Sequence, residues 1–227
     1  FEKEFSNYVG NKYSIAVSNG SIALEIALKA LNLKKKDEII VTPRSFIISA
    51  SCVINLGLKP VFADVDLNGN LCVEEIKKCY NKKVKAIIIV HLNGLSCDLD
   101  PIVKFVRKNR IFLIEDCSQA HGAIYKGKKV GSFGHISTWS FCQDKIISTG
   151  GEGGMVSTNN KKLWLKLWSL KDHGKNYHSC FIKKHKIGFK WLHDDLGSNF
   201  RMTEMQAVLG RDQLKMLDKQ IKKRRSR

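Results

Sequence analysis

No apolar run in the sequence approaches the ~20 residues that a membrane helix needs, so no membrane partner is expected. The opening FEKEFSNYVG lacks both an apolar core and a small-residue cleavage site, so it is not expected to be a signal peptide. It also lacks an initiator methionine, so the N-terminus reads as trimmed. There is no Cys-x-x-Cys pair. The seven cysteines (Cys52, Cys72, Cys79, Cys97, Cys117, Cys142 and Cys180) are odd in number and mostly lie inside apolar segments. That excludes a disulfide framework or a zinc site and fits reduced thiols in a cytoplasmic protein. Internal repeats and low-complexity linkers are absent too, and 227 residues suffice for one large domain or two small ones.

Charge of one sign is in short supply: 21 acidic residues face 39 lysines and arginines, a net charge of +18. Such a balance raises nucleic-acid binding as a possibility. The lysines, however, are scattered in pairs, and no recognition-helix, zinc-finger or RNP pattern accompanies them. No nucleic-acid partner is therefore expected. The densest basic run, KKRRSR (222–227), continues directly from a helical pattern. Anionic substrates also suit this balance.

What is present is alternation. EIIVTP (38–43), PVFADVD (60–66), KAIIIVHL (85–92) and IFLIED (111–116) read as strands, with TWSF (138–141) and GMVST (154–158) as two more. Between them FIISASCVINLG (46–57), VEEIKKCY (73–80) and DPIVKFVRKN (100–109) read as helices, the first closed by Gly57 and the last with Pro101 in its first turn. The β-branched, fully apolar KAIIIVHL suits a parallel strand covered on both faces. The fold class is α/β, a mostly parallel sheet flanked by helices. From about residue 159 the pattern turns helical. NKKLWLKLWSLK (160–171) carries one apolar stripe, and 202–227 reads as one long helix with Thr203 as N-cap and nothing after it to bury its stripe.

Ligands of open α/β sheets bind beyond the carboxyl ends of the strands, and three stretches there carry polar residues. In SNGSIALEIALKAL (18–31), Gly20 and Ser21 open an amphipathic helix whose first N–H groups can hold a phosphate; the alternative is a plain capping turn. In IEDCSQAHGA (114–123), Asp116 ends an apolar strand, where a carboxylate is costly unless paired. It reads either as a cap or as the anion that holds a protonated ring nitrogen, with Gln119 and His121 close behind. In WSFCQDKIISTGGEGGM (139–155), Ser140 and Lys145 flank a strand end. Glycines 150, 151, 153 and 154 permit a tight turn, and a partly desolvated lysine can form a Schiff base. Together a phosphate cradle, a strand-end carboxylate and a glycine-flanked lysine match the needs of pyridoxal 5'-phosphate (PLP).

These blocks, with VTPRSFIISASCVINLGLKPVFADVD, HLNGLSCDLDPI, KDHG and LGSNFRMTEMQAVLGRDQL, resemble the DegT/DnrJ/EryC1/StrS sugar aminotransferases over essentially the whole chain. The resemblance implies a PLP-dependent enzyme of fold type I, acting on a nucleotide-linked 4-keto-6-deoxyhexose with glutamate as amino donor, for polysaccharide or O-antigen synthesis. It implies that Lys145 binds the cofactor covalently and shuttles a proton, that Asp116 pairs with the pyridine nitrogen, and that Gln119 sits near the ring hydroxyl. It further implies that Gly20, Ser21 and Ser140 hold the phosphate and that Phe46 stacks on the ring. Asn199 would reach the phosphate of a neighbouring subunit's cofactor, in a homodimer. Related dehydratases carry histidine in place of the lysine, so Lys145 favours transamination. Family members run longer, so 1–227 is expected to be the PLP-binding large domain without the smaller C-terminal one. The alternative expectation is a truncated, inactive PLP-binding relic.

Overall fold

A computed structural model describes residues 1–184 and 191–226. Helix α1 (Glu2–Val9) leads into strand β1 (Tyr13–Val17) and helix α2 (Gly20–Ala30). Strand β2 (Glu38–Val41), helix α3 (Ile48–Asn55) and strand β3 (Lys59–Phe62) follow, then α4 (Val73–Cys79), β4 (Val84–Val90), α5 (Leu99–Asn109) and β5 (Phe112–Asp116). A short hairpin, β6 (Ile124–Tyr125) and β7 (Lys128–Lys129), precedes β8 (Ile136–Ser140) and β9 (Gly154–Thr158). Helices α6 (Lys161–Lys171), α7 (Tyr177–Phe181) and α8 (Glu204–Arg225) complete the order.

Seven strands form one sheet in the order β1-β9-β8-β5-β4-β2-β3. Strands β8, β5, β4, β2 and β3 pair in parallel, while β9 runs antiparallel to both β8 and β1. Strand β1 therefore points the same way as the parallel set. The period of two along β4 explains why both faces need cover. Ile87 and Ile89 join a core with Phe5 of α1, Ile76 of α4, Ile102 of α5 and Leu217 of α8. Ala86 and Ile88 join the opposite core with Leu24 of α2, Val53 of α3 and Leu167 of α6. The α/β class expected from the alternation holds, with helices on both faces.

Some boundaries move for local reasons. The strand expected over 60–66 ends at Phe62, because Asp66 turns the chain by accepting the N–H groups of Asn68 and Asn70. The helical pattern expected from residue 159 is interrupted between α6 and α8. His173 and Gly174 both adopt the left-handed conformation (φ 57° and 77°), which an α-helix cannot continue through. A Cβ on Gly174 would lie 1.7 Å from the Asp195 carbonyl oxygen, so only glycine fits there. Bridges pairing Asp172 with Asn199, Lys175 with His193 and Val17 with Arg201 then carry the chain back to β1. Strand β1, helices α1 and α7 and the β6–β7 hairpin escape the sequence pattern.

The Thr203 cap of α8 is as expected: Thr203 Oγ1 accepts the Gln206 N–H while Gln206 Oε1 accepts the Thr203 N–H. The stripe of α8 is partly covered. Leu214 and Leu217 are buried, whereas Met205, Val208, Leu209 and Met216 are exposed. Residue 227 of the expected helix lies outside the described residues. Among the described residues no helix is long and apolar enough to cross a membrane.

Candidate active site

Because β1 and the five parallel strands point one way, the segments that follow them share one end of the sheet. Ser18–Ser21, the residues after Val41, the 91–95 loop, Cys117–His121 and the loop after Ser140 are all placed there by topology. This is the end at which ligands of such sheets bind.

Asn19 is the N-cap of α2, one residue earlier than the helix proper, and its Oδ1 accepts the Ile22 N–H at 2.9 Å. Its carbonyl takes the Ala23 N–H. The N–H groups of Gly20 and Ser21 have no acceptor inside the helix and head the positive end of its dipole. Ser140, the last residue of β8, closes on this turn. A Cβ on Gly20 would lie 2.7 Å from Ser140 Cβ, and a Cβ on Gly154 only 2.3 Å from the Asn19 carbonyl oxygen. Helix start, Ser140 and the first residue of β9 thus meet at a spacing that only glycines allow.

Asp116 ends β5 and is 5% exposed. Burial pushes its carboxyl above the ordinary range, against the opposing pull of the Ser118 N–H on Oδ1 (3.0 Å) and of His91 and Lys145 nearby. Such a carboxylate lacks a full countercharge. Gln119 is fixed by its neighbour loop: Oε1 accepts the Asn93 N–H at 2.8 Å, which leaves the amide Nε2 as a donor. Asn93 is itself left-handed (φ 54°), and the loop is anchored where Asn70 Oδ1 accepts the Leu92 N–H.

Lys145 sits in a loop closed across its base. Phe141 N–H donates to the Gly153 carbonyl, Gln143 N–H to Gly151, and Thr149 N–H to Phe141. Gly150 and Gly151 hold φ of 87° and 125°, so the turn demands glycine at both. The lysine side chain is 19% exposed, and its Nζ lies 2.9 Å from Asp144 Oδ2. That hydrogen bond holds the Asp144 carboxyl below the usual range. A cleft of about 570 Å³ opens beside it, lined among others by Gln119, His121, Asp144, Lys145, Ile221 and Arg224.

The expected residues are therefore not all gathered at one contact. Lys145 and Gln119 share the cleft, Asp116 feels Lys145 electrostatically, and Gly20, with Ser21 beside it, meets Ser140 at the start of α2. Phe46 follows β2 and is 68% exposed. Asn199 is exposed beside Asp172, one residue from Phe200, whose carbonyl accepts the Ser18 N–H. Two groups carried no sequence role. His121 is buried on the cleft wall, and Glu115, beside Asp116, binds His91 and the N–H groups of Gly131, Phe133 and Gly134. The sequence signal for Glu115 was a charge at the end of the apolar run IFLI, whereas His121 stands among small and polar residues that give none.

The sequence profile of the DegT/DnrJ/EryC1/StrS aminotransferase family matches residues 1–227. The chain belongs to this family. Among curated family members, the GDP-perosamine synthase of Escherichia coli O157:H7 is 39% identical over 226 residues, which is 99% of this chain and 59% of that protein. Among solved structures, the aminotransferase from Psychrobacter cryohalolentis superposes with a TM-score of 0.94 at 54% identity, covering 96% of this chain and 55% of that one. A GDP-4-keto-6-deoxymannose-3-dehydratase with a trapped PLP-glutamate geminal diamine gives a TM-score of 0.84 at 32% identity, over 96% of this chain and 60% of that one. The chain spans a little under three fifths of the length of the first curated relatives it matches.

Proposed function

We propose that this chain carries the PLP site of an aminotransferase that places an amino group on a keto carbon of a nucleotide-linked sugar, with glutamate as donor. The observation that carries the reading is the placement of Lys145. A largely covered lysine faces a cleft shared with Gln119 and feels a buried, under-compensated Asp116 at the end of the next strand. The cradle that only glycines permit at positions 20 and 154 fits a phosphate approached by backbone N–H groups. The sugar class and the donor rest on the named relatives, a GDP-perosamine synthase and a dehydratase holding PLP and glutamate.

When bound, PLP supplies an electron sink for the carbon that exchanges its amino group. The chain's own residues do the rest. The N–H groups of Gly20 and Ser21 and the hydroxyls of Ser21 and Ser140 bind the phosphate. Asp116 holds a proton at the ring nitrogen, where its carboxylate gains the countercharge that burial denies it. Gln119 Nε2 donates to the ring hydroxyl, and Phe46 covers the ring face. Lys145 Nζ would hold the cofactor covalently and would serve as the group that takes and returns a proton within the cleft. A lysine rather than a histidine here supports amino transfer over dehydration. Asn199, exposed at the carboxyl end of the sheet, serves the site of a second copy in a homodimer.

The test is a visible absorption spectrum of the purified chain with added PLP, beside that of Lys145→Ala. A new band in the first alone, followed by glutamate-dependent amination of a nucleotide-linked keto sugar, is the expected result. The same spectrum in both proteins would overturn the role of Lys145.

A further inference from the structure

Among the described residues two buried side-chain polar atoms lack a partner, Thr138 Oγ1 within β8 and His121 Nε2 on the cleft wall. His121 is 6% exposed, and its Nε2 has no hydrogen-bond partner among the described residues. The ring is held by aromatic neighbours, with centroids 5.4 Å from Trp139 and 5.6 Å from Phe141. Trp139 is in turn braced edge-on by Phe5 of α1 at 5.2 Å. The imidazole therefore has a fixed orientation on the cleft wall. Leaving a buried polar nitrogen unmatched costs about 1–3 kcal/mol, so its retention calls for an account.

Burial, followed by the charge of Lys145, pushes the imidazole down to about 3, so the ring is neutral at ordinary pH and carries one proton. The Ser140 main chain opposes that shift, as a carbonyl accepting a ring N–H does, and since Nε2 has no partner the ring proton is assigned to Nδ1. Nε2 is then left with its lone pair, an acceptor with no donor. The charged groups around the cleft are Asp116 from β5, Asp144 and Lys145 from the loop after β8, and Arg224 and Arg225 from α8. Of the cations, Lys145 is the one that His121 feels.

We propose that His121 is a positioning residue for Lys145: its Nε2 is a second, inner acceptor that draws the lysine side chain off Asp144 and into the cleft. In the outer position Lys145 Nζ pairs with a carboxylate that is itself 66% exposed. A carboxylate holds the proton on an amine more firmly than a neutral nitrogen does. The inner position therefore presents Nζ to the cleft with its proton more readily given up, as a reacting amine requires. The two acceptors make a two-place lysine, stored on the rim and used within.

The inference rests on Lys145 being the reacting amine, but its test needs no cofactor. The rate at which Lys145 is acetylated by a trace of acetic anhydride, read by mass spectrometry at fixed neutral pH, is compared across variants. His121→Phe keeps the aromatic packing and removes the acceptor, and it should slow labelling about fivefold, the order of one ordinary hydrogen bond. His121→Gln restores an acceptor oxygen and should recover most of the rate, while Asp144→Asn should raise it. A wild-type rate in His121→Phe, or no recovery in His121→Gln, overturns the proposal. Should His121→Phe not fold, the ¹⁵N signal of His121 Nε2 in the native chain decides. It should move when Lys145 is changed to Met, and an unmoved signal sinks the idea. Normal labelling with no PLP band would instead overturn the cofactor reading and leave this one standing.

Discussion

Glu115 and Asp116 are neighbours in β5 and serve opposite sides of the sheet. Glu115 pairs with His91 at 3.1 Å and accepts the N–H groups of Gly131 and Phe133 at 2.7 and 2.8 Å, and that of Gly134. Asp116 turns toward Ser118 and the field of Lys145. The period of two along a strand gives one carboxylate to architecture and the next to the cleft.

For Glu115, burial would push the carboxyl up, but His91 and the loop N–H groups outweigh it and hold the group below its ordinary range. A lowered carboxyl contributes stability that is present above its unfolded value, near 4.3, and is lost as pH falls through the folded one. Glu115→Ala should cost about 3–5 kcal/mol in denaturant unfolding at neutral pH, the range for a broken buried pair. The deficit should narrow in acid. A loss under ~1 kcal/mol would mean that the 131–134 loop is held by other contacts.

Asp116 has the opposite sign. Its carboxyl is raised, so the stability it contributes is full below the unfolded value, near 3.9, and is lost as pH rises through the raised folded value. Without cofactor, Asp116→Asn should therefore unfold later than the native chain at neutral pH, and the two should converge in acid. The same change removes the carboxylate proposed to pair with the ring nitrogen, so on that proposal PLP affinity should fall. Calorimetry with and without PLP reads both, and a variant less stable at neutral pH without cofactor contradicts the account.

Gly154 is the tightest point where β9 meets the start of α2, the turn proposed to hold the phosphate. Gly154→Ala sets a methyl 2.3 Å from the Asn19 carbonyl oxygen, a backbone atom that cannot turn aside. Overpacking of this kind costs about 1–3 kcal/mol. It should also push the start of α2 from Ser140 and weaken PLP uptake more than Gly10→Ala, where a Cβ meets nothing within 4 Å. Equal uptake by the two variants would place the phosphate elsewhere.

Tyr8 ties the two terminal helices together. Its hydroxyl donates to Asp218 at 2.7 Å, and Lys129 Nζ lies 3.4 Å from the ring centroid. Burial and the Asp218 carboxylate push the phenol up, so it stays protonated as a donor. Tyr8→Phe should lower stability by about 0.5–1.5 kcal/mol. Tyr8→Ala should cost more and alter proteolysis near Ile221, since the Tyr8 hydroxyl and Ile221 both press on Gly122.

The sheet was legible where apolar runs were long: EIIV, KAIII and FLIE stand within two residues of their expected places. Helix α1 was not, since the EKEFSNYV segment buries only Phe5, Ser6 and Val9 and is set by tertiary contact with α8. The Trp and Leu spacing of 160–171 gave α6 to within a residue, whereas the chain between α6 and α8 carried no periodic signal, because its course is set by the left-handed His173–Gly174 turn and by bridges to distant residues. At the site, residue types and spacing pointed to Lys145, Asp116 and the glycine turn, because each is costly or special locally. His121 and Glu115 were opaque, since their meaning lies in partners brought together by β5 and β8.

Strand β1 lies at the edge of the sheet beside β9, with Val17 opposite Gly154 and its other side met by a single bridge to Arg201. During synthesis β1 leaves the ribosome roughly 140 residues before its partner, which at ~5–20 residues per second is a wait of about 7–28 s. Its ladder groups stay open to any other strand for that time. A strand made early is thus among the last to be placed, and it leads into the turn proposed to meet the phosphate. Assembly of the cradle and completion of the sheet are one late event, so a nascent chain arrested before β9 should bind no PLP, however well β2 to β5 have formed.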